Sequence, residues 1–303
     1  MNVNLAIELL PGLHLKNPVM PASGTYEYGE GANAFDPSQL GAIVTKSVAP
    51  VPWPGNEPPR LFETPCGLLN AVGIPSEGVE AFRQKVLPLL RQYRTSLIVS
   101  VAGETAAEFA RVIRVLETEN GISAYELNFS CPNLGDGIPF GTNPDLLRQA
   151  VELARGETSR PIIIKLSPNV TDIRLMAQEA QQAGANAVAL INTITGMAID
   201  VRRQRPVLGN IFGGLSGPAI KPVALRMVWE VAGAVDIPVI GVGGISNTND
   251  ALEFLLAGAR AVQIGTANFA NPLVMPEIIA GIAAYLVENG FSSLTEIIGL
   301  ARR

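Results

Sequence analysis

Histidine is almost missing from this chain. His14 is the single one among 303 residues, and only two cysteines, Cys66 and Cys131, accompany it. The first scarcity excludes Ser-His-Asp catalysis, histidine-rich metal centres and proton transfer through imidazole. The second excludes a four-cysteine zinc site and argues against a disulfide framework. Basic residues are also in the minority: 22 Lys and Arg face 27 Asp and Glu, for a net charge of −5. No basic stripe tracks nucleic acid and no Lys/Arg-rich amphipathic face holds a membrane surface. No apolar run approaches the ~18 residues that span a bilayer. Met1-Asn2-Val3-Asn4 lacks a basic segment leading into an apolar one, so no signal peptide is expected. On that reading the sequons at Asn128 and Asn169 are chance matches, and a cytoplasmic enzyme is the expectation.

Charged residues are few, at 16%, and hydrophobic residues abundant, at 48%. That balance suits a deep core of strands buried on both faces. Short Val/Ile-rich runs recur along the chain: 17–22, 41–46, 96–101, 124–129, 161–166, 187–192, 237–241 and 261–265. Helical patterns lie between them. Phe109, Val112, Ile113 and Leu116 fall at i, i+3, i+4, i+7. Asn143-Pro144 reads as an N-cap with proline in the first turn. Thr171 is the expected N-cap of the next helix and Gly184 its terminator, while Gly258 closes the helix carrying Leu252, Leu255 and Leu256. Strands alternating with helices over this length predict one (β/α)8 TIM-barrel domain spanning residues 1–303, with a doubly wound open sheet as the competing architecture. Residues 3–15, folded about Pro11-Gly12, are expected to form a short N-terminal β-hairpin under the barrel, with His14 on its surface. The prolines from Pro50 to Pro59 read as a stiff extended connector.

Polar residues sit where the predicted strands end: Lys46, Ser100, Asn128, Lys165 and Asn192. In a parallel barrel all these ends gather at one mouth, where catalytic residues lie. Gly241-Val242-Gly243-Gly244-Ile245-Ser246 follows the seventh strand and Gly265-Thr266 the eighth. These are the usual phosphate-binding positions of the fold, where glycines let backbone N–H groups approach an anion. The segment is not G-x-G-x-x-G and does not argue for a dinucleotide. Lys165 fits a flavin, because a cation beside N1/O2 stabilises the reduced ring; it fits equally a lysine with its head in water. Cys131, just past a strand end, is the candidate base or nucleophile, since a thiol near pKa 8.5 accepts a proton once neighbours lower that value. The bland alternative is a small buried hydrophobe. Gly135, Gly137 and Gly141 give the loop after it the composition of a lid.

Several segments together carry a family resemblance: Asn17-Pro18, Ala22-Ser23-Gly24, Thr45-Lys46-Ser47, Leu69-Asn70-Ala71-Val72-Gly73-Ile74, Asn128-Phe129-Ser130-Cys131-Pro132-Asn133, Ile164-Lys165-Leu166-Ser167-Pro168, Ile191-Asn192-Thr193, Gly196–Asp200 and Gly213–Pro218. The chain resembles the dihydroorotate dehydrogenases over essentially its whole length. Within them it is most similar to type 1B, the NAD-linked class, by the last two stretches and by cysteine, not serine, at position 131. The resemblance implies an FMN enzyme that oxidises dihydroorotate to orotate, Cys131 taking the C5 proton while the C6 hydride goes to FMN. It implies that Lys46, Asn70, Ala71, Val72, Gly73, Ile74, Asn128, Asn133, Asn192 and Thr193 hold the substrate. Ser23, Lys46, Ser47, Ser100, Asn128, Lys165, Ile191, Gly217, Gly243, Gly244, Gly265 and Thr266 would hold FMN. Electrons would pass to a partner subunit carrying FAD and a [2Fe–2S] cluster and on to NAD+, within a heterotetramer built on a homodimer of this chain. The family commonly has asparagine where this chain has Ser100; serine is shorter, and a water is expected to fill the gap. The alternatives from residues alone are a related FMN barrel with another pyrimidine or electron acceptor, or a phosphate-binding barrel lyase or isomerase without redox chemistry.

Overall fold

The computed structural model describes residues 3–26, 34–129 and 140–303. All eight expected strands form, each within two residues of its predicted limits: β1 (Val19–Pro21), β2 (Ala42–Val44), β3 (Ser96–Val101), β4 (Ala124–Asn128), β5 (Ile162–Lys165), β6 (Ala187–Leu190), β7 (Val239–Val242) and β8 (Ala261–Ile264). They make one parallel sheet in the order β1-β8-β7-β6-β5-β4-β3-β2. Neighbours in space are neighbours in sequence, so the sheet curls into a barrel rather than opening as a doubly wound sheet. Between β1 and β2 the Gly41 N–H donates to the Val19 carbonyl at 2.9 Å. Any Cβ on Gly41 would stand 2.1 Å from the Asn17 carbonyl oxygen, so only glycine lets these two strands meet. The chain belongs to the TIM-barrel architecture.

Outward residues of the strands pack under helices with apolar faces. α1 (Ala106–Glu117) starts on a capping box, with Thr105 Oγ1 accepting from the Glu108 N–H and Glu108 reaching back. It buries Phe109, Val112, Ile113 and Leu116, the four residues of the predicted stripe. α2 (Pro144–Gly156) is capped by Asn143, which accepts from the N–H groups of Asp145 and Leu146. α3 (Ile173–Gln182) is capped by Asp172 rather than Thr171. The one-residue correction has an electrostatic reason: the carboxylate accepts the Arg174 N–H and also meets the Arg174 guanidinium at 2.7 Å, a charge placed where the helix dipole favours it. Gly184 does end that helix, at φ 98°. α4 (Lys221–Ala232), α5 (Thr248–Leu256) and α6 (Val274–Glu288) complete the outer ring.

Below the barrel, Ile7–Leu10 and Leu13–Leu15 form the expected antiparallel hairpin. Leu9, Leu10 and Leu15 are buried, and the hairpin turn shares a cavity with Ser96, Ser123 and Pro161 at strand starts. His14 is exposed on it, 3.9 Å from Glu8. Above the barrel lies a sheet that no periodicity announces. Leu61–Thr64 pairs with Gly67–Asn70, both from the β2–β3 connection; Gly67–Asn70 pairs in turn with Gly213–Ser216, and that strand with Ile194–Gly196, both from the connection after β6. No described helix is long and apolar enough to cross a membrane.

One aromatic cluster ties the end of β4 to α1 and α2. Phe109 meets Phe129 edge-on, with ring centroids 4.9 Å apart, and Phe140 at 5.8 Å. The Gly141 N–H donates to the Phe129 carbonyl at 2.9 Å. Residues 129 and 140, on either side of the segment 130–139, are thus held side by side. Such ring pairs contribute about 0.5–1.5 kcal/mol beyond burial. Phe109→Ala is expected to cost about 3–5 kcal/mol in urea unfolding; a loss below ~1 kcal/mol would show that the cluster does not anchor these segments.

Candidate active site

The strand ends bring five of the expected residues into one hydrogen-bonded row across the mouth. Ser47, just past β2, lies 3.0 Å from the Ser100 hydroxyl on β3 and 3.4 Å from the Ser23 hydroxyl beyond β1. Asn128 Nδ2 on β4 donates to Ser47 Oγ at 3.2 Å. Asn192, past β6, donates through Nδ2 to Asn128 Oδ1 at 3.2 Å, and its own Oδ1 accepts the Thr193 N–H at 2.7 Å. Ser100 is fully buried, and its N–H is taken by Thr45 Oγ1 at 3.0 Å. Its hydroxyl therefore stands in the row beside Ser47. Lys46 is exposed next to it at the mouth.

Lys165, at the end of β5, is 6% exposed, the most deeply buried cation of the site. Burial pushes its ammonium below the ordinary lysine range, and the negative charge of Glu126 opposes that shift. Ile191 is buried beside the strand end, behind a cis peptide to Leu190.

The stretch Asn70–Ile74 leaves the top sheet and turns over the barrel. Asn70 Nδ2 donates to the Gly214 carbonyl at 3.2 Å. Asn56, which no sequence signal marks, donates to the Ala71 carbonyl at 3.1 Å through its side chain and to the Val72 carbonyl at 3.1 Å through its N–H. Asn169 does the same service opposite, donating to the Thr193 carbonyl at 3.2 Å and accepting the Thr195 N–H at 3.0 Å. The Asn70–Gly214 bond and the pairing of Gly67–Asn70 with Gly213–Ser216 join the connections that carry Asn70–Ile74 and Asn192-Thr193 into one roof. Cys131 and Asn133 lie outside the described residues, as do Gly135 and Gly137; Cys66 is exposed at the turn between Leu61–Thr64 and Gly67–Asn70.

The glycine turns flank the opposite side of the mouth. Gly243 and Gly244 take φ of 126° and 74°, and a Cβ on Gly244 would lie 2.7 Å from the Lys221 nitrogen. At Gly265 a Cβ would make ordinary contact with the Ala22 side chain at 3.7 Å and the Thr25 methyl at 3.9 Å. Thr266 Oγ1 donates to Ser216 Oγ at 2.8 Å beside Gly217. Asp250 fastens the β7 turn, accepting the Ser246 N–H and hydroxyl at 2.9 and 2.8 Å and the Lys221 ammonium at 2.7 Å. Burial pushes the Asp250 carboxyl up, but the hydrogen bonds from Lys221 and Ser246 outweigh it and hold it below the usual carboxylate value. Glu126, Gln263 and Asp250 are absent from the expected site. The first two carry a readable signal, a polar residue inside an apolar strand at even spacing from the strand end.

A closed α/β barrel with glycine turns after β7 and β8 and a row of hydroxyls and amides across its C-terminal mouth places this chain in the class of (β/α)8-barrel proteins, whose sites lie at that face. Comparison with known proteins narrows the class. A family model described as dihydroorotate dehydrogenase matches residues 5–286. Three curated relatives share the name dihydroorotate dehydrogenase B (NAD(+)), catalytic subunit. That of Geotalea daltonii is 51% identical over 98% of this chain and 97% of its own. That of Desulforudis audaxviator is 51% identical over 100% and 99%, and that of a Thermoanaerobacter species 52% identical over 98% of each. The chain belongs to the dihydroorotate dehydrogenase family.

The lowered pKa of Asp250 has a testable sign. Its contribution to stability is present above the ordinary carboxylate value and is lost as pH falls through the depressed folded value. Asp250→Asn is expected to unfold at lower urea than the wild type at pH 7, with the gap narrowing on acidification. Parallel stability curves down to pH 2 would remove Asp250 from this role.

Proposed function

We propose that this chain oxidises dihydroorotate to orotate in pyrimidine biosynthesis, as the catalytic subunit of an NAD-linked enzyme that binds FMN. The observation that carries the reading is the hydrogen-bonded row Ser23–Ser47–Ser100 and Ser47–Asn128–Asn192 beneath the Asn70–Ile74 roof, in a chain about half identical to relatives named for this activity. The residues fit a flavin mononucleotide. The positive-φ turn at Gly243-Gly244, with Gly265-Thr266 following β8, suits a phosphate. Ser23, Ser47, Ser100, Asn128, Ile191 and Lys165 line the adjoining mouth, with Gly217 and Thr266 at its rim, and offer the mixed donors and acceptors that a flavin's pyrimidine edge requires. FMN, when bound, supplies the hydride acceptor.

The chain's own residues bind and orient the substrate and move one proton. Lys46 matches an anionic carboxylate; Asn70, Asn128, Asn133 and Asn192, with the Thr193 hydroxyl, match the alternating N–H and C=O groups of a dihydropyrimidine. Ala71, Val72, Gly73 and Ile74 close over it. The mutual hydrogen bonds among Ser47, Asn128 and Asn192 fix each amide before substrate arrives, so little reorganisation accompanies binding. Cys131 follows Asn128 by three residues and takes the C5 proton as its thiolate. The reading extends to a partner subunit with FAD and a [2Fe–2S] cluster that relays electrons to NAD+, and to a homodimer of this chain at the centre of that assembly.

The purified protein is expected to be yellow and to lose its flavin absorbance under anaerobic dihydroorotate. Cys131→Ala is expected to keep orotate affinity within a few-fold and to lower the reduction rate by about 10²–10⁴-fold, read by stopped-flow absorbance. A yellow wild-type protein that dihydroorotate leaves unbleached would overturn the reading.

A further inference from the structure

Three polar side chains meet inside the barrel, one layer below the mouth. Glu126 on β4 is 0% exposed, Gln263 on β8 is 0% exposed and Lys165 on β5 is 6% exposed. Glu126 shares the inner face of β4 with Asn128, two residues on, while Tyr125 points outward to Glu117 of α1 at 3.1 Å. β4 and β8 stand on opposite sides of the barrel, and Gln263 spans it. Its Nε2 donates to Glu126 Oε2 at 2.5 Å, and its Oε1 accepts from Lys165 Nζ at 2.8 Å. The second Glu126 oxygen has no hydrogen-bond donor among the described residues and lies 3.8 Å from Lys165 Nζ. The amide is therefore oriented by charge on both sides, its oxygen toward the ammonium and its NH2 toward the carboxylate.

Nothing in the packing of a barrel calls for this arrangement. Interior layers are filled by branched apolar side chains, and a buried ion pair is commonly neutral or worse for stability beside an apolar replacement. A lysine alone at this depth would shed its proton. The carboxylate opposes that loss, and the bridging amide fixes where the ammonium sits. We propose that Glu126, acting through Gln263, is the positioning residue that holds Lys165 as a fixed cation under the mouth, so that a flavin bound there gains negative charge on reduction against a ready counter-charge. The proposal rests on the FMN reading above. It assigns Glu126 no contact with substrate or cofactor.

The test compares the affinities of oxidised and reduced FMN. In the wild type the ratio of the two dissociation constants is the reference, and Lys165→Met gives the full effect of removing the cation. Glu126→Gln, nearly the same shape, is expected to shift the ratio against reduced FMN by about tenfold, equal to about 30 mV in a two-electron midpoint potential. Its affinity for oxidised FMN should stay within a few-fold. The exchange Glu126→Gln with Gln263→Glu sets the carboxylate directly on Lys165 and is expected to return the ratio toward wild type, which a purely structural role would not do. In the double variant Glu126→Gln with Lys165→Met the shift should not exceed that of Lys165→Met alone, because the two residues act as one unit. An FMN-bound Glu126→Gln protein with the wild-type ratio overturns the proposal. If that variant does not fold, Gln263→Met must move the ratio in the same direction, and an unchanged value overturns the proposal equally. Failure of the wild type to bind FMN at all would instead overturn the cofactor reading.

Discussion

A parallel barrel has no wet inner face. Every polar side chain directed inward must find a partner within the ring, because an unpaired buried polar group costs about 1–3 kcal/mol and an unpaired charge more. That single constraint orders the interior of this protein. Below the mouth the strands supply Val, Ile, Leu and Ala, and the departures from that rule, Glu126, Lys165 and Gln263, lean on one another. At the mouth Ser47, Ser100, Asn128 and Asn192 satisfy one another in a row. The same requirement that keeps the core intact thus leaves a rigid set of donors and acceptors facing the one open end.

The second organising device is the use of connections rather than strands to cover that end. Residues from the β2–β3 connection and from the connection after β6 join in an antiparallel sheet, order Ile194–Gly196, Gly213–Ser216, Gly67–Asn70, Leu61–Thr64. Asn56 and Asn169 tie its margins to the Asn70–Ile74 and Asn192-Thr193 stretches. A roof built this way belongs to the barrel on both sides, so the groups it carries are positioned by the same closed ring that positions the floor. The turn after β7 is fastened separately by Asp250, whose carboxylate gathers Lys221 and Ser246. Loops carry the variable chemistry of barrels, and here the described connections after β2, β6 and β7 are each held by a polar anchor.

Much of this is legible in the sequence. The eight strands read as short apolar runs because strands buried on both faces have no alternation to show. The caps at Asn143 and the terminators at Gly184 and Gly258 read correctly because capping is a local matter of backbone and one side chain. The N-cap at Asp172 was misplaced by one residue, since Thr171 and Asp172 are both good caps and only the pairing with Arg174 separates them. Asn56, Asn169 and Asp250 were invisible, being polar residues in loops or at helix starts, where polarity is ordinary.

The ring of strands, the clustering of polar residues at one end of it and the chain's place in the dihydroorotate dehydrogenase family are legible in the sequence alone, because periodicity, strand-end polarity and motif order are written along the chain. Which of those polar residues meet is set by the folded ring. Glu126 and Gln263 are 137 residues apart and come together because an eight-stranded ring sets its fourth and eighth strands face to face. Contacts of that kind are properties of closure, and closure is a relation among all the strands at once rather than a feature of any one of them.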